Sequence, residues 1–487
     1  MPIPVRTRFA PSPTGYMHIG NLRTALYAYL IARAMNGQFI LRIEDTDQER
    51  LVEGSVEVIY NTLNLVGLEH DEGPDIGGPF GPYIQSQRKG IYKEWAEKLI
   101  AAGGAYYCFC SKEKLESLRK EAGGKETVFK YQDPCREIAP AEAQKRAASG
   151  EPCVVRQRIP RGGTTTFQDM VYGSVTVEND TLEDGILLKS DGLPTYNFAN
   201  VVDDHLMQIS HVIRGSEYLS SAPKYNLIYQ AMGWEIPAYI HLPLIMKAAG
   251  KKLSKREGDA SFEDFYHQGY LKEAIVNYIA LLGWNPKDDR EIFSLEELKK
   301  IFNISGLNNS PAIFDPDKLK WMNGEYIRKL APEQFNDLAK PYYQNTIKRT
   351  DIDFIKLSKL VQLRTEILSD IPGIVDFIDT LPEYDVSLYV NKKMKTDPAV
   401  SLESLKLALS ELEKLGSWEH QAIHDTLFKL KEQNGLKTGQ MLWPVRTALS
   451  GKESSPGGAI DLAEILGKED TLRRLRAGVN IIFDNIK

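Results

Sequence analysis

The segment from residue 5 to residue 21, VRTRFAPSPTGYMHIGN, constrains the fold of this chain more than any other. A strand pattern ends at Phe9, and the prolines and the glycine that follow prevent regular structure. An apolar pattern with a helical period begins near Gly20, so the segment predicts a strand, a tight loop and a helix N-terminus. Amide groups and the positive dipole end at such a terminus bind phosphate. The segment therefore predicts a nucleotide site, with His18 and Asn21 beside its opening.

The next elements complete a βαβ unit of a parallel sheet. The pattern predicts a helix over 20–35 and a strand over 38–43, which ends in the acidic cluster EDTD. Ligands of open parallel sheets bind at the carboxyl ends of the strands, so Glu44 and Asp47 are candidates for holding an amino group, a ribose or a metal. The alternative is that the cluster only caps a helix starting near Glu49. Glu44 precedes the cap and is the better candidate.

Length and composition set the class of protein. At 487 residues the chain is too long for one core, so we expect roughly three or more domains. No apolar stretch approaches the roughly 20 residues needed to cross a bilayer, and the N-terminus lacks an apolar secretory region. We therefore expect no membrane association.

Charge and cysteine content narrow the class further. The net charge of −6 excludes a basic nucleic-acid coat protein, so a nucleic-acid partner would bind local basic patches. Four cysteines in so long a chain do not make a disulfide framework. They fit a reducing compartment, and we expect a cytoplasmic protein.

A group of cysteines lies in a segment of mixed composition, 103–194, which predicts an α+β insertion that interrupts the sheet. Cys108, Cys110 and Cys135 are spaced so that three thiolates can reach one zinc ion. Weak fourth ligands would be Tyr131 or Glu137. Structural zinc prefers four Cys or His ligands, and no histidine stands at the fourth position. The pattern therefore favours reduced, half-buried thiols over a bound zinc.

Polar residues mark the return of the sheet near residue 195. Tyr196 and Asn200 are one helical turn apart and would face the same side. Arg214 ends an apolar strand, where an arginine suits bidentate capture of a carboxylate. The alternative is that this arginine only pairs with Asp203 or Asp204.

A second local signal is the basic run over 250–258, which includes Lys252 and Lys255. Lysines on a mobile loop can close over a triphosphate and leave with the product. A run of this kind is otherwise an ordinary solvated face.

Together these residues carry a family resemblance. RFAPSPTGYMHIGN at 8–21 resembles the HIGH signature of class I aminoacyl-tRNA synthetases, and KLSKR at 252–256 resembles their KMSKS signature. Three flanking segments, 42–47, 191–196 and 200–205, are similar to bacterial-type glutamyl-tRNA synthetases. The resemblance covers essentially the whole chain. Each signature departs from the general class I pattern at its last position. Asn21 stands where HIGH has its second histidine, and Arg256 stands where KMSKS has its last serine. Both replacements are usual in the glutamyl branch.

The resemblance implies an architecture. The fold class would be an α/β Rossmann-type catalytic domain with a parallel sheet and an α+β insertion, followed by all-α domains that contact the tRNA stem and the anticodon. The implied boundaries are a catalytic first half at 1–102, an acceptor-end-binding insertion at 103–194, a catalytic second half at 195–260, a stem-contact domain at 261–330 and anticodon-binding subdomains at 331–386 and 387–487.

The C-terminal part agrees with this architecture, since its periodicity is helical. Predicted helices there are 333–338, 354–368, 402–415, 419–433, 459–466 and 468–482. Turns are predicted at Pro372-Gly373 and at 456–458. Helical anticodon domains are typical of bacterial glutamyl enzymes, whereas glutaminyl enzymes use β-barrels. A tRNA-modifying glutamyl-queuosine relative would lack this part, and an idle RNA-binding relative would not need both signatures.

The resemblance also implies the chemistry. L-Glutamate would attack ATP, which arrives with Mg²⁺, to give glutamyl-adenylate, and the glutamyl group would then pass to the 3′-terminal adenosine of tRNA(Glu). The family typically needs tRNA for the first step, and its members are expected to be monomers. The implied catalytic residues are His18, Lys252 and Lys255.

Substrate-binding residues are implied position by position. The glutamate site would contain Arg8, Ala10, Ser12, Glu44, Tyr196, Asn200 and Arg214. The ATP site would contain His18, Gly20, Asn21, Glu217, Leu244, Ile245 and Lys255. Arg8 is the expected partner of the γ-carboxylate, and Glu44 would meet the ammonium group.

Basic residues outside the site are candidates for tRNA contacts. Arg156, Arg158 and Arg161 in the insertion are expected to meet phosphates. Residues 348–349 and 473–476 would meet the anticodon arm, although ordinary surface charge explains each of them equally well.

Overall fold

A computed structural model describes residues 4–121, 134–247 and 261–486. The chain forms two compact units. The first unit comprises Met1–Tyr266 and Lys272–Pro316, and the second comprises His267–Leu271 and Asp317–Lys487. This division places the predicted catalytic halves and the insertion in one unit. The boundary between the two units falls at 316/317, inside the predicted stem-contact domain.

The strands, all in the first unit, are β1 (Arg6–Phe9), β2 (Gln38–Leu41), β3 (Ala105–Cys108), β4 (Val154–Gln157), β5 (Thr164–Asp169), β6 (Gly173–Glu178), β7 (Ile186–Leu188), β8 (His211–Gly215), β9 (Ala238–Leu242), β10 (Ile245–Lys247) and β11 (Ala312–Phe314). Its helices are α1 (Ile19–Ala34), α2 (Ser55–Val66), α3 (Lys89–Ala101), α4 (Lys112–Glu121), α5 (Pro140–Ala148), α6 (Tyr196–Leu206), α7 (Ala222–Ala231), α8 (Phe262–His267), α9 (Lys272–Leu281) and α10 (Leu295–Ile301). The helices that follow are α11 (Pro316–Lys329), α12 (Pro332–Thr346), α13 (Phe354–Val361), α14 (Ile371–Val375), α15 (Pro398–Lys414), α16 (His420–Gln433), α17 (Thr438–Ser450), α18 (Ala459–Leu466) and α19 (Lys468–Ile486).

Parallel strands form the sheet that carries the site. β1 pairs with β2, and β8 pairs with β9. β1 also lies beside β8, since the amide of Ser210 donates to the carbonyl of Arg6 over 3.0 Å. The strands share one direction, so their carboxyl ends meet at one edge. This arrangement confirms the predicted parallel α/β sheet.

The predicted insertion continues this sheet. Its hairpin β5–β6 joins β9 through a parallel pairing of Asp169 with Tyr239. The remaining strands of the insertion, β3, β4 and β7, form an antiparallel sheet. The hairpin β5–β6 of the insertion therefore extends the catalytic sheet beyond β9.

The first helix is nearly as predicted. α1 spans Ile19–Ala34, and the Asn-Gly pair after it ends the helix with Asn36 at φ 51°. α1 is buried along most of its length because other elements pack on several of its sides. The helix expected near Glu49 is only a single 3-10 turn, Gln48–Arg50, and Asp47 makes no side-chain cap. Asp47 therefore does not cap a helix at Glu49, and Asp45 instead accepts the amide of Ser86 over 2.8 Å.

The second unit is helical, as predicted, but local proline signals mislead there. Pro372 occupies the first turn of α14, where its missing amide costs no hydrogen bond, so the predicted break is wrong. α12 continues through Pro341 to Thr346, beyond the predicted end at 338. Phe335, Ala339 and Tyr343 are buried on one face of α12, and this burial outweighs the roughly 3 kcal/mol cost of an interior proline.

α17 was not expected from the sequence, because Pro444 lies in its interior. Its buried residues include Met441, Val445 and Leu449, which pack in the core of the second unit. The predicted turn at 456–458 is confirmed and leads into α18. No helix within the described residues is long and apolar enough to cross a bilayer.

Candidate active site

A cavity of about 790 Å³ opens at the carboxyl ends of β1, β2 and β8. Twelve residues predicted for the site line this one cavity: Arg8, Ala10, Ser12, His18, Gly20, Asn21, Glu44, Tyr196, Arg214, Glu217, Leu244 and Ile245. They come from segments more than 200 residues apart in the chain. The structure therefore brings the predicted glutamate and ATP residues together.

Among the described residues, Asn200 is the one residue predicted for the glutamate or ATP site that does not line this cavity. It is buried at 2% exposure, and its side-chain amide donates to the carbonyl of Tyr196 over 2.6 Å. This contact closes one turn of α6 and turns the amide donor away from a ligand. Tyr196 lies on the cavity wall itself, with its ring 5.4 Å from that of Tyr218. Burial raises the pKa of Tyr196, so its phenol stays protonated.

His18 forms the N-cap of α1. Its Nδ1 accepts the amide of Gly20 over 2.9 Å, which places the proton of a neutral ring on Nε2. The carbonyl of His18 accepts the amides of Asn21 and Leu22. A Cβ at Gly20 would lie 3.2 Å from this Nδ1, so a side chain there would crowd the ring as well as a bound base. The helix start and the imidazole orientation therefore depend on each other.

Buried ion pairs form the floor of the cavity. Arg8 donates from Nε and Nη2 to the two oxygens of Asp204, over 3.0 and 3.2 Å. Arg42 donates to Asp204 over 2.8 Å and to Glu44 over 3.0 Å. Burial acts to raise the pKa of Asp204, but Arg8 and Arg42 hold it below its ordinary value. Burial raises the pKa of Glu44 against the opposing pull of the same arginines.

Arg214 is surrounded differently from Arg8. Its Nε donates to Nε2 of His241 over 3.1 Å, and its buried Nη2 has no hydrogen-bond partner among the described residues. The predicted alternative, a pairing with Asp203 or Asp204, is wrong. Asp204 is held by Arg8 and Arg42, as above, and Asp203 accepts from Arg88 over 2.7 Å. Arg214 therefore presents a guanidinium group to the cavity without a carboxylate partner from the described chain.

Lys252 and Lys255 lie outside the described residues. The chain on both sides of them is described and adjoins the site. Ile245 lines the cavity, and Ser261 forms a β-bridge with His18. The amide of Phe262 also donates to the carbonyl of Met17 over 2.9 Å. The described residues on the two sides of the segment 248–260 therefore adjoin the site.

The cysteine cluster is compact. The sulfur atoms of Cys108, Cys110 and Cys135 all lie within 4.8 Å of one another. The amide of Phe109 donates to the sulfur of Cys135 over 3.3 Å. Glu137 does not join the cluster, since its carboxylate is 73% exposed and faces Arg161 at 3.6 Å. Tyr131 lies outside the described residues.

Some basic residues expected to contact tRNA have structural roles. Arg156 is buried and donates to the carbonyl of Asp184 over 2.8 Å, whereas Arg161 is 70% exposed. Arg474 is fully buried and donates to three carbonyl groups in the second unit. Its neighbour Arg473 is 60% exposed.

Sequence reasoning missed several residues beside the site, among them Arg23 and His241. Arg23 lines the cavity from α1, three residues after Gly20, and donates to the carbonyl of Leu282 over 3.0 Å. The helical spacing from Gly20 would have indicated it. His241, which contacts Arg214, gave no such signal, because a histidine inside an apolar strand is typical of an ordinary core residue.

The comparisons with known proteins agree with this site. Residues 4–321 match the family model of class I tRNA synthetases (E and Q), catalytic domain, and residues 334–479 match an anticodon binding domain. The fold and site are those of a class I aminoacyl-tRNA synthetase catalytic domain. The chain belongs to the glutamyl and glutaminyl family of these enzymes.

Full-length relatives sharpen the similarity. The chain is 59% identical to the glutamate–tRNA ligase of Clostridium novyi over 485 residues, with 99% of each chain covered. It is 57% identical to that of Clostridium acetobutylicum, with 98% of each covered. A crystal structure of glutamate–tRNA synthetase from Elizabethkingia anophelis has a TM-score of 0.88 at 35% identity, covering 98% of this chain and all of that one. A glutamate tRNA ligase from Elizabethkingia meningosepticum, solved in complex with its amino acid, has a TM-score of 0.87 at 35% identity, covering 98% of this chain and 99% of that one.

Proposed function

We propose that the protein is a glutamate–tRNA ligase. It activates L-glutamate with ATP to glutamyl-adenylate and transfers the glutamyl group to the 3′-terminal adenosine of tRNA(Glu). The observation that carries this proposal is the single cavity in which a helix N-terminus capped by His18 faces the buried Arg214 and Glu44. An anionic nucleotide and a zwitterionic amino acid with a second carboxylate fit these charges.

Glutamate recognition follows from the difference between the two arginines. Arg8 is held by Asp204, whereas the Nη2 of Arg214 has no partner among the described residues. Arg214 therefore supplies the uncompensated positive charge for a substrate carboxylate, and Arg8 adds positive potential from the floor. Glu44 faces the ammonium group. Glutamine is rejected because its neutral amide would leave a buried guanidinium without a charged partner.

Adenylate formation needs no enzyme nucleophile. The α-carboxylate attacks the α-phosphorus, and pyrophosphate leaves. Catalysis consists of positioning the reactants and stabilising the charge on the phosphates. His18 and the amides of α1 supply part of this stabilisation, and Lys252 and Lys255 supply the rest. Magnesium enters with ATP as part of the substrate.

The cysteine cluster suits a structural zinc ion. Three convergent sulfurs could supply three of the four ligands that zinc prefers, and the amide of Phe109 would stabilise a thiolate on Cys135. Tyr131 remains the candidate for the fourth corner. This convergence favours the zinc site over separate reduced thiols. When bound, the ion would tie β3 to the turn at Pro134–Glu137.

The partners follow from the proposed reaction. They are tRNA(Glu), L-glutamate and ATP, and we expect a cytoplasmic monomer that charges tRNA there. The helices of the second unit, which contain most of the anticodon-domain match, would meet the anticodon arm. The exposed Arg161 and Arg473 are the better candidates for tRNA phosphates than the buried Arg156 and Arg474.

Charging assays test the proposal directly. Purified protein is incubated with ATP, tRNA(Glu) or tRNA(Gln), and labelled glutamate or glutamine. We expect glutamate on tRNA(Glu) and no glutamine on either tRNA. Glutamate on tRNA(Gln) as well would show a ligase that accepts both tRNAs. Charging with glutamine, or no pyrophosphate exchange with either tRNA present, would contradict the proposal.

A further inference from the structure

The guanidinium of Arg214 sits in an aromatic box. Its central carbon lies 5.4 Å from the ring centre of Tyr218, 4.6 Å from that of Tyr225 and 5.3 Å from that of Tyr239. These rings hold the cation by weak, non-directional attraction. They do not fix which edge of the guanidinium faces the cavity. Directional control must come from a hydrogen bond.

The hydrogen bond to His241 provides that control. Nε of Arg214 donates to Nε2 of His241 over 3.1 Å, on the edge of the guanidinium nearest its own chain. This hydrogen bond leaves the two Nη groups on the far side of the guanidinium from His241, and the buried Nη2 has no partner within the described residues. His241 does not itself line the cavity. Its contact with Arg214 therefore acts from behind the site.

Asp169 fixes the ring of His241. Nδ1 of His241 donates to Oδ2 of Asp169 over 2.6 Å, and both side chains are fully buried. Oδ1 of Asp169 accepts the amides of Val171 and Tyr172, each over 2.9 Å. The carboxylate is thus anchored on both oxygens. Since Nδ1 carries the proton, Nε2 presents its lone pair to Arg214.

We propose that Asp169 and His241 are positioning residues for glutamate recognition, which orient Arg214 toward the substrate carboxylate without neutralising its charge. This inference rests on the proposed role of Arg214. The hydrogen-bonded series runs from Asp169, through the imidazole of His241, to the guanidinium of Arg214. Asp169 belongs to β5, so the insertion takes part in shaping the amino-acid pocket.

A neutral imidazole suits this role better than a carboxylate. Arg8 pairs directly with both oxygens of Asp204, so two of its donor groups are committed to that carboxylate. A substrate carboxylate would have to compete with an aspartate in the same position at Arg214. The imidazole accepts one hydrogen bond from Arg214 and adds no negative charge. The guanidinium is therefore oriented while its charge remains for the ligand.

The sharpest test is Asp169→Asn. The two backbone amides at Oδ1 keep the amide oxygen on their side, so the new NH₂ group faces Nδ1 of His241 and also the main-chain amide of His241, which donates to Oδ2 over 3.2 Å. The ring must then carry its proton on Nε2, where it opposes Nε–H of Arg214. The substitution at Asp169, which does not line the cavity, thus removes the hydrogen bond between Arg214 and His241. We expect the Michaelis constant for glutamate to rise roughly 10- to 100-fold, as for loss of a supporting hydrogen bond behind a ligand, with the constant for ATP changed less than about threefold.

Substitutions of His241 extend the test. His241→Phe keeps a ring but removes both hydrogen bonds, and it should raise the glutamate constant as much as Asp169→Asn does. His241→Gln can still accept from Arg214 with its amide oxygen, and it should recover a large part of the loss. The matched control is Asp75→Asn, which makes the same change at the pair His70–Asp75, where Nε2 and Oδ1 are 2.7 Å apart. This control should leave both constants unchanged.

Direct binding separates positioning from folding. The affinity for a sulfamoyl analogue of glutamyl-adenylate and the thermal midpoint are measured on each purified full-length variant. A fall in analogue affinity with an unchanged midpoint supports the inference. Equal rises in both Michaelis constants, or full glutamate affinity in both Asp169→Asn and His241→Phe, would overturn it.

A further variant, Arg214→Ala, tests the proposed role of Arg214 separately from the positioning role of Asp169 and His241. If Arg214→Ala leaves the glutamate constant unchanged, the role proposed for this arginine fails. If Arg214→Ala raises that constant while the variants of Asp169 and His241 do not, only the positioning inference fails.

Discussion

Arg8 and Asp204 form a two-pronged buried ion pair, with Nε–Oδ1 and Nη2–Oδ2 distances of 3.0 and 3.2 Å. The two residues are 196 positions apart in the chain, on β1 and α6. The pair fixes the floor of the cavity relative to α6, the helix that carries Tyr196. Arg8 is therefore a structural residue of the pocket as well as a source of positive potential.

This pair predicts a selective effect of Arg8→Ala. The substitution removes positive charge beside the amino-acid pocket and leaves Asp204 with Arg42 as its ionic partner. We expect the Michaelis constant for glutamate to rise far more than that for ATP. Steady-state charging, with each substrate varied in turn, measures both constants. If the two constants rose alike, Arg8 would not have a glutamate-specific role.

Arg8→Lys is the natural companion to this measurement. Lysine keeps the charge but cannot make the two-pronged contact with Asp204. If the charge matters most, Arg8→Lys should retain more glutamate affinity than Arg8→Ala. If the geometry of the floor matters most, the two variants should be equally impaired.

A second prediction concerns Lys255. Removing one cation that stabilises transition-state charge commonly costs about 2.7 to 4 kcal/mol, by analogy with an oxyanion-hole donor. Lys255→Ala should therefore lower the turnover number for pyrophosphate exchange, with tRNA present, by roughly 100- to 1000-fold. Lys251→Ala, four residues earlier in the same segment, serves as the comparison and should have a much smaller effect. A loss of less than about tenfold at Lys255 would mean that its ammonium group does not act on the phosphates.

The sequence predicted those parts of the site that depend on local pattern. His18, Gly20 and Asn21 belong to one strand–loop–helix segment, in which proline, glycine and helical period determine the backbone. Glu44 and Arg214 follow from the rule that ligands meet strand ends. These residues are where the local pattern placed them, and they line one cavity.

The residues behind the site depend on contacts between distant segments, which no local pattern records. His241 and Asp169 are 72 positions apart and meet only because β5 joins β9. The pairing of Arg8 with Asp204 also joins two distant segments, which are 196 positions apart in the chain. The true end of α12 and the existence of α17 were not predicted for a related reason, since burial keeps these helices intact through Pro341 and Pro444.

A third prediction concerns the metal. If the three sulfurs hold zinc, the purified protein should contain about one zinc ion per chain by atomic emission spectroscopy. Cys135→Ser should lose that ion and lower the thermal midpoint of the first unit. Cys153→Ser, at a cysteine outside the cluster, should change neither. Zinc-free protein with an unaffected Cys135→Ser variant would restore the interpretation of three reduced thiols.

A fourth prediction follows from the pKa of His241. Burial lowers this pKa below 6.5, and the positive charge of Arg214 lowers it further, while Asp169 and Glu217 raise it. Tyr239, stacked on the ring, stays neutral because burial raises its own pKa. The imidazole is therefore neutral at pH 7 and accepts from Arg214.

Acid should weaken glutamate binding through this group. As the pH falls through the lowered pKa, His241 takes up a proton on Nε2 and can no longer accept from Arg214. Acid should also lower the stability of the protein through this group. The pKa of His241 is lower in the folded protein than in the unfolded chain. The contribution of neutral His241 to the free energy of unfolding is therefore complete above pH 6.5 and is lost as the pH falls through the folded-state pKa. We expect the glutamate constant to be flat from about pH 8 to 6.5 and to rise below that range. In His241→Gln this acid rise should be absent, and a rise of the same size there would assign it to another group.

The last prediction separates two neighbouring arginines of the second unit. Arg474 is fully buried on α19, and it donates to the carbonyls of Phe377, Ile378 and Leu449 over 2.7 to 2.8 Å as well as to Asp470. Arg474→Ala would leave these acceptors without a donor, at a cost of about 3 to 5 kcal/mol. Arg473→Ala removes only an exposed pair with Asp470 and should cost less than about 1 kcal/mol. Calorimetric unfolding measures both.

In the charging reaction, Arg473→Ala should affect tRNA binding, whereas Arg474→Ala should mainly affect stability. Arg473 is exposed and can meet a tRNA phosphate, whereas Arg474 has its donors turned inward. Loss of one phosphate contact weakens tRNA binding and reduces its dependence on salt. Arg473→Ala should therefore raise the Michaelis constant for tRNA while leaving the thermal midpoint nearly unchanged, and Arg474→Ala should lower the midpoint. If Arg474→Ala unfolded at the wild-type temperature, its contacts would not support the fold of the second unit.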